Sequence, residues 1–177
     1  EIMLSEMLKQ AGYATALIGK WHLAGGLRKD GKYPSRLMPN GQGFDYFYGT
    51  PLHNGVTPTV TPDAFQVQIM RNNKVLVDRL DQNGMDNLTK DYTKEAIRFI
   101  YKHKNEPFFL YLAHTMPHVP LGVSKAFRGK SKGGLYGDVI EEIDWSMGQI
   151  INTLKELSLD EDTFVVFIDI VRAAESE

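Results

Sequence analysis

The chain has 177 residues, 42% of them hydrophobic, and this length and composition suit one α/β domain with a buried core. Its 20 Lys and Arg against 22 Asp and Glu give a formal net charge of −2 with no basic block, which argues against a nucleic-acid partner. No apolar stretch approaches the roughly 20 residues that span a bilayer. The absence of cysteine excludes disulfides, thiolate metal sites and a cysteine nucleophile within the chain.

The chain opens with an amphipathic helix that leads into a buried strand. The helix is predicted to end at Gly12, and the apolar residues 13–18 then read as a strand. The first residue is Glu1, and the helical stripe begins at once with no cap before it (Ile2, Met3, Leu4, Met7, Leu8 and Ala11). We therefore expect the chain to be an internal segment of a longer protein.

The middle of the chain alternates between irregular and regular patterns. Residues 23–63 are rich in Gly and Pro and have no sustained period, which predicts a long loop. Residues 65–77 alternate around Asn72 and Asn73, which predicts a peripheral hairpin with a tight turn. Residues 89–104 then have helical spacing with Thr89 as the predicted cap.

The last part of the chain continues the pattern of helices followed by strands. Residues 108–113 form an apolar run, and a Gly- and Lys-rich loop follows at 128–134. Apolar positions from Val139 to Leu157 trace one face of a long helix, and 163–168 reads as a third buried strand. The sequence therefore predicts an α/β fold, a mostly parallel sheet flanked by helices, with its three strands (13–18, 108–113 and 163–168) as parallel neighbours.

Cationic side chains follow two of these strands where each strand ends. Lys20 and His22 are two residues apart, so an extended chain would point them to the same side, with Trp21 facing the other way. A fixed ammonium and a titratable imidazole suit a tetrahedral oxyanion such as sulfate or phosphate. The alternative interpretation is a solvated lysine and a hydrogen-bonded histidine at a strand end.

His114 and His118 follow the strand 108–113 and are separated by four residues. On a helix this spacing would suggest a metal pair, but Pro117 and Pro120 argue against a helix and hence against zinc. Pro117 instead favours an extended segment that would hold His118 just past the strand. We expect His118 to contact a ligand and to share one edge of the sheet and a common cavity with Lys20 and His22.

An acidic cluster near the start of the last helix offers a possible acid/base site. Its members fall among apolar helical positions, so we interpret them as a solvated helix face, with Asp138 favourable near the N-terminal dipole. The cluster consists of Asp138, Glu141, Glu142 and Asp144.

Several segments together resemble the type I sulfatases of the arylsulfatase A-like kind, within the alkaline phosphatase superfamily. The resemblance covers roughly residues 3–168 and is most specific at Gly-Lys-Trp-His, 19–22. The other segments lie, in family order, at 4–15, 43–49, 107–121 and 136–144. In that family a formylglycine made from Cys or Ser attacks the sulfur of a sulfate ester beside a calcium ion.

The resemblance implies roles for the matching residues. Lys20 matches the lysine that contacts the sulfate and the formylglycine, and His22 matches the histidine that assists turnover of the covalent sulfate. His118 matches the histidine on the ester side of the substrate, while His114 would only support the site. The implied substrate is a small-molecule or saccharide sulfate ester, and the implied location is secreted, periplasmic or lysosomal.

The chain departs from the family pattern at both ends. The Cys/Ser-x-Pro-x-Arg element that yields formylglycine is absent, so the nucleophile and the first metal aspartates are expected upstream of Glu1. Asp169 lies one place early for the calcium-binding Asp-Asn-Gly, and no Asn follows it. We therefore expect calcium in a full-length parent but assign no metal ligand here.

These observations predict that residues 1–177 are part of a sulfatase catalytic domain whose N- and C-terminal parts lie elsewhere. The isolated chain would then lack activity, because neither nucleophile nor metal site is present. Two alternatives remain open: a phosphodiesterase or phosphonate hydrolase of the same superfamily, and a non-catalytic α/β anion-binding domain.

Overall fold

A computed structural model describes residues 1–26, 30–54 and 67–168. The described chain forms a five-stranded sheet with helices packed against it. Its helices and strands are, in chain order, α1 (Leu4–Gln10), β1 (Ala14–Lys20), β2 (Tyr46–Thr50), β3 (Ile69–Arg71), β4 (Lys74–Val77), α2 (Gln82–Asp86), α3 (Leu88–His103), β5 (Phe108–Ala113) and α4 (Gly134–Glu156).

The sheet has the order β4-β3-β2-β1-β5, with β1 between two parallel neighbours. The run Ala16, Leu17 and Ile18 is completely buried, as expected for a strand covered on both faces. The predicted parallel pairing of β1 with β5 is confirmed, with Gly19 opposite Ala113. The hairpin predicted around Asn72 and Asn73 is present as β3 and β4 at one edge of the sheet.

Two glycines bring the three parallel strands together near their carboxyl ends. Gly19 has φ +117°, and a Cβ placed on it would lie 1.8 Å from the carbonyl oxygen of Ala113. Gly49 faces Gly19 across the β1–β2 pair, and a Cβ there would lie 1.8 Å from the Gly19 oxygen. Because no side chain fits either position, the strand ends that precede Lys20 depend on glycine.

The main core lies between the sheet and the helix pair α3 and α4. Tyr92 and Ala96 of α3 are fully buried against Ile18, and α4 contributes Val139 and Leu154 to the same cluster. A second apolar cluster includes Leu17, Trp21, Phe44 and Phe47. No helix in the described part of the chain has the length and apolar character needed to cross a bilayer.

The predicted loop 23–63, of which residues 27–29 and 55–63 lie outside the described residues, was wrong in one respect, because it contains β2. This strand pairs in parallel with β1 on the side opposite β5. It is only five residues long and contains Gly49, which conceals it in a Gly- and Pro-rich stretch. Its pairing with β1 places Thr50 beside Lys20.

The third strand predicted at 163–168 was also wrong. These residues pair with no strand in the described part of the chain, and the side chain of Phe164 is 92% exposed. An apolar, β-branched run becomes a strand only when a neighbouring strand completes its hydrogen bonds, so local propensity was insufficient here. The expected row of three parallel neighbours therefore holds for β1 and β5 but not for this segment.

The helix boundary at 89–104 differs from the prediction at its start. Helix α3 begins at Leu88, and its N-cap residue is Asn87 rather than Thr89. Thr89 lies one residue inside the helix, where it is buried. Thr89 is therefore packed inside the protein and does not cap the helix.

The solvated-face interpretation was wrong for two of the four acidic residues near the start of α4. Asp138 is 2% exposed and accepts hydrogen bonds from the backbone nitrogens of Gly129 and Ser131, both at 2.7 Å. Glu142 is 1% exposed and accepts from the backbone nitrogen of Ser124 at 3.0 Å. These carboxylates bind the loop before α4, and helical periodicity alone cannot reveal such partners. Glu141 and Asp144 are exposed, as predicted.

Candidate functional site

The candidate site lies where β1, β2 and β5 end. Lys20 is the last residue of β1 and faces Thr50 in the register with β2. Burial lowers the pKa of its ammonium. Among the described residues, Lys20 forms no ion pair with a carboxylate. Its charge is therefore available to an incoming anion.

The segment after β1 is held by backbone and indole hydrogen bonds. Trp21 is 7% exposed, and its Nε1 donates to the carbonyl oxygen of Leu37 at 2.6 Å. The backbone nitrogens of Trp21 and His22 donate to the oxygens of Thr50 and Pro51 at 2.9 and 3.0 Å. His22 has φ 63°, a left-handed conformation that is uncommon outside glycine. The anchored tryptophan thus holds His22 in an uncommon conformation at the strand end.

The three predicted residues lie in one cluster with a fourth that sequence reasoning missed. The His22 and His53 ring centroids are 5.0 Å apart, and those of His53 and His118 are 5.7 Å apart. Lys20 is close enough to lower the pKa values of both His22 and His53 electrostatically. The edge of the sheet therefore gathers one ammonium and three imidazoles.

His53 was missed because its position depends on β2. It is the third residue after β2. In the same way, His22 comes shortly after the end of β1 and His118 shortly after the end of β5. The available signal was the run of three consecutive aromatic residues at 46–48, which is typical of a strand and would have placed His53 at a strand end.

The cluster disfavours positive charge when no anion is present. Burial is the largest cause lowering the pKa of His22, followed by the charges of Lys20, His53 and His118. Burial also lowers the pKa of His53, with further contributions from His118 and Lys20. Groups that repel one another in this way favour a ligand of opposite charge. The arrangement is therefore suited to a small oxyanion.

We expect inorganic sulfate to raise the pKa values of His22 and His53, because an anion in the cluster stabilises their imidazolium forms. The pKa values can be followed by NMR in the complete protein with labelled histidine, with chloride as the reference anion. His103, at the end of α3, contacts Glu106 and serves as the internal control. Equal responses of all three histidines, or none, would contradict an anion site at the cluster.

The His118 ring is oriented by its own backbone. Its Nδ1 lies 2.6 Å from the carbonyl oxygen of Val119, and a carbonyl only accepts hydrogen bonds. The Nδ1 atom therefore carries a proton, and the Nε2 atom is the one left for a ligand. The protonated ring can donate from Nε2 while keeping the bond to Val119.

His114 does not share the histidine cluster's environment. Its ring packs beside Tyr92, and its Nε2 is hydrogen-bonded to Ser146 Oγ at 3.1 Å. Burial lowers the pKa of His114 from 6.5 to about 4. A neutral histidine bonded to α4 links the end of β5 to the helix layer, which is a structural role.

Acid is expected to destabilise the protein through His114. Because its folded-state pKa is about 4 against 6.5 in the unfolded chain, the unfolded state binds the proton first as the pH falls. At about 1.4 kcal/mol per pKa unit, the free energy of unfolding should fall by roughly 3 kcal/mol across that window. Urea denaturation of the complete protein at pH 7 and pH 4 measures the loss. His114→Gln should lose much less, and a variant with the wild-type pH dependence would contradict this origin.

A metal centre is not formed by the described residues. Within ranges 1–26, 30–54 and 67–168, no group of three or more His, Cys, Asp or Glu is arranged to hold a metal ion. The residues therefore do not fit a calcium site by themselves, and no chemical step is assigned to a metal here.

The fold and the cluster define an α/β protein in which one lysine and three histidines lie together at the carboxyl ends of its parallel strands. The family model described as "Sulfatase" matches residues 2–169 of this chain. The chain belongs to the sulfatase family, and the resemblance to type I sulfatases is confirmed.

Relatives and solved structures agree with this family. The chain is 37% identical to the N-acetylgalactosamine-6-sulfatase of Sus scrofa over 94% of its own length and 32% of that protein. It is 32% identical to the steryl-sulfatase of Homo sapiens, covering 94% of this chain and 39% of the relative. A solved structure of a Bacteroides thetaiotaomicron protein, whose description refers to the metabolism of multiple glycosaminoglycans, superposes on this chain with a TM-score of 0.75 at 26% sequence identity. The superposition covers 89% of this chain and 42% of that chain. The chain thus spans well under half the length of these proteins.

Proposed function

We propose that the protein containing this chain is a sulfuric ester hydrolase, and that residues 1–177 form the middle of its catalytic domain. The observation that carries the proposal is the approach of Lys20, His22 and His118 at one edge of the sheet. Membership of the sulfatase family supports the same chemistry. The long segment 23–63 and the hairpin at 65–77 are then parts of this domain.

Lys20 is the group that we assign to the sulfate itself. Its ammonium is partly desolvated and carries a compact positive charge without a carboxylate partner among the described residues. Such a charge stabilises the oxygens of a sulfuryl group as the ester bond breaks. Partial burial strengthens this effect, because the local dielectric constant is lower than that of water.

His118 is assigned to the leaving group. When the sulfur–oxygen ester bond breaks, the electron pair moves to the ester oxygen, which then requires a proton. The imidazolium form of His118 can donate that proton from Nε2 while Nδ1 remains bonded to Val119. The alcohol or phenol is released as a neutral molecule.

His22 and His53 are assigned to the opposite part of the anion site. Both rings have lowered pKa values in the free site, so they are neutral near pH 7 and can accept or relay a proton. His22 is the residue that we assign to turnover of the covalent sulfate, on its match to the family. His53 lies between the His22 and His118 rings and extends the surface that a sulfate would contact.

The nucleophile and the metal are assigned to residues outside this chain. The sequence has no Cys/Ser-x-Pro-x-Arg element, and its described residues form no metal cluster. We propose that the complete protein carries a formylglycine upstream of Glu1 and binds calcium through ligands that are not present here. A formylglycine would supply the attacking oxygen and calcium would supply positive charge beside it, and no residue of this chain is assigned to either role.

The substrate class is proposed as a small-molecule or saccharide sulfate ester. One relative is named for N-acetylgalactosamine 6-sulfate and another for steryl sulfate, so the relatives differ in the alcohol and share the sulfate. The cluster described here would contact the shared part, because Lys20 carries a positive charge and the neighbouring imidazoles are stabilised as cations when an anion binds.

The function is tested on the complete gene product, produced with its formylglycine modification. Hydrolysis of 4-nitrophenyl sulfate is compared with hydrolysis of 4-nitrophenyl phosphate and of a phosphate diester in parallel. We expect the sulfate to have the highest kcat/KM. A preference for a phosphate ester would favour the phosphodiesterase alternative, and the absence of all turnover would favour a non-catalytic anion-binding domain.

A further inference from the structure

Asn54 connects the loop after β2 to the segment that carries His118. The residue is 1% exposed, and its side-chain Nδ2 donates to the carbonyl oxygen of His118 at 2.9 Å and to that of Pro120 at 3.2 Å. An amide group has two N–H donors, one for each carbonyl. A single buried side chain therefore holds the backbone immediately before and after Val119.

These bonds determine where the His118 ring lies. The His118 side chain is exposed and Val119 is 65% exposed, so packing gives little restraint to this segment. The ring is instead oriented by its Nδ1 contact with the Val119 carbonyl. Because Asn54 holds the carbonyls on both sides of Val119, it also fixes the group that orients the ring.

Asn54 also sets the spacing between two imidazoles of the cluster. It directly follows His53, whose ring centroid lies 5.7 Å from that of His118. The amide joins the loops that follow β2 and β5, which are connected in sequence only through more than fifty intervening residues. The amide therefore adds direct hydrogen bonds between the two loops to the contact of the His53 and His118 rings.

We propose that Asn54 is a positioning residue that holds His118 in place for proton donation to the leaving group. The inference rests on the proposed function and extends it to a residue that does not itself contact the substrate. A displacement of about 1 Å at a reacting group can cost about 100-fold in rate, so a buried clamp of this kind has a measurable effect on turnover.

The first test uses Asn54→Asp in the complete protein. The carboxylate has nearly the shape of the amide but has no proton to donate, and it would face two carbonyl oxygens. We expect kcat/KM for aryl sulfates to fall by about 10-fold or more, with a larger loss for phenyl sulfate than for 4-nitrophenyl sulfate. Combined with His118→Ala, it should cause little further loss, because both changes affect the same group.

The pH dependence separates positioning from general destabilisation. Protonation of the introduced carboxylate restores one donor, so the activity of Asn54→Asp relative to wild type should rise as the pH falls. Asn54→Ser, which retains one short donor, should show a smaller loss and no such rise. The matched control is Asn40→Asp, because Asn40 Nδ2 also donates to two carbonyls, those of Phe44 and Asp45, near the opposite end of the sheet.

A second readout requires no turnover. In histidine-labelled protein, the NMR signals of the His118 ring should shift in Asn54→Asp, while those of His103 stay unchanged. Unshifted His118 signals, or equal kinetic losses in Asn40→Asp and Asn54→Asp, would overturn the inference. If wild type hydrolyses no sulfate ester but the His118 signals still shift, the clamp is present and the proposed function is wrong.

Discussion

Replacement of Lys20 by alanine is expected to lower kcat/KM of the complete protein for aryl sulfates by roughly 100- to 1,000-fold, the usual effect of losing a charge-stabilising donor. Lys20 is partly buried and has no carboxylate partner among the described residues, so its removal leaves no other group's charge exposed. Stability should therefore change little while activity collapses.

Steady-state kinetics with 4-nitrophenyl sulfate, together with a thermal unfolding curve, measures both effects. Lys94→Ala is the control, because Lys94 is an exposed lysine on α3 whose nearest carboxylate, Asp91, lies 4.0 Å away. Retention of more than a third of the wild-type kcat/KM by Lys20→Ala would mean that the ammonium does not contact the reacting sulfate.

His118→Ala should lower kcat/KM by about 100-fold, and the loss should depend on the leaving group. A phenol of high pKa needs its proton more than 4-nitrophenol does, so phenyl sulfate should lose more than 4-nitrophenyl sulfate. The structure supports this role because Nδ1 is engaged with Val119 and Nε2 is available.

The control for His118→Ala is His103→Ala at the far end of α3, which should leave both substrates near wild-type rates. If the two substrates lose activity equally in His118→Ala, the ring assists binding rather than proton donation. A variant with undiminished kcat/KM would place the leaving-group chemistry on another residue.

The parts of the fold that could be predicted from the sequence have strong local signals. The strands β1 and β5 are apolar runs preceded by helices, and α4 has an apolar face sustained over more than four turns. The two strands also predict that Lys20, His22 and His118 lie together, because parallel strands that share a sheet end at the same edge. Their placement required only the correct identification of two strands.

The parts that could not be predicted depend on partners distant in the sequence. Strand β2 is short and becomes regular only beside β1, so His53 and Asn54, which follow it, had no assigned position. The opposite error occurred at 163–168, where a strong local pattern has no neighbouring strand among the described residues. Asp138 and Glu142 are buried because backbone nitrogens of the preceding loop bind them, and a helical wheel contains no such information.

The most direct test of the central claim is a crystal structure of the complete protein with inorganic sulfate. We predict one sulfate at the carboxyl ends of β1, β2 and β5, with its oxygens within hydrogen-bond distance of Lys20 Nζ and His118 Nε2. A sulfate bound elsewhere, with Lys20 and His118 facing solvent and their side chains directed apart, would contradict the account.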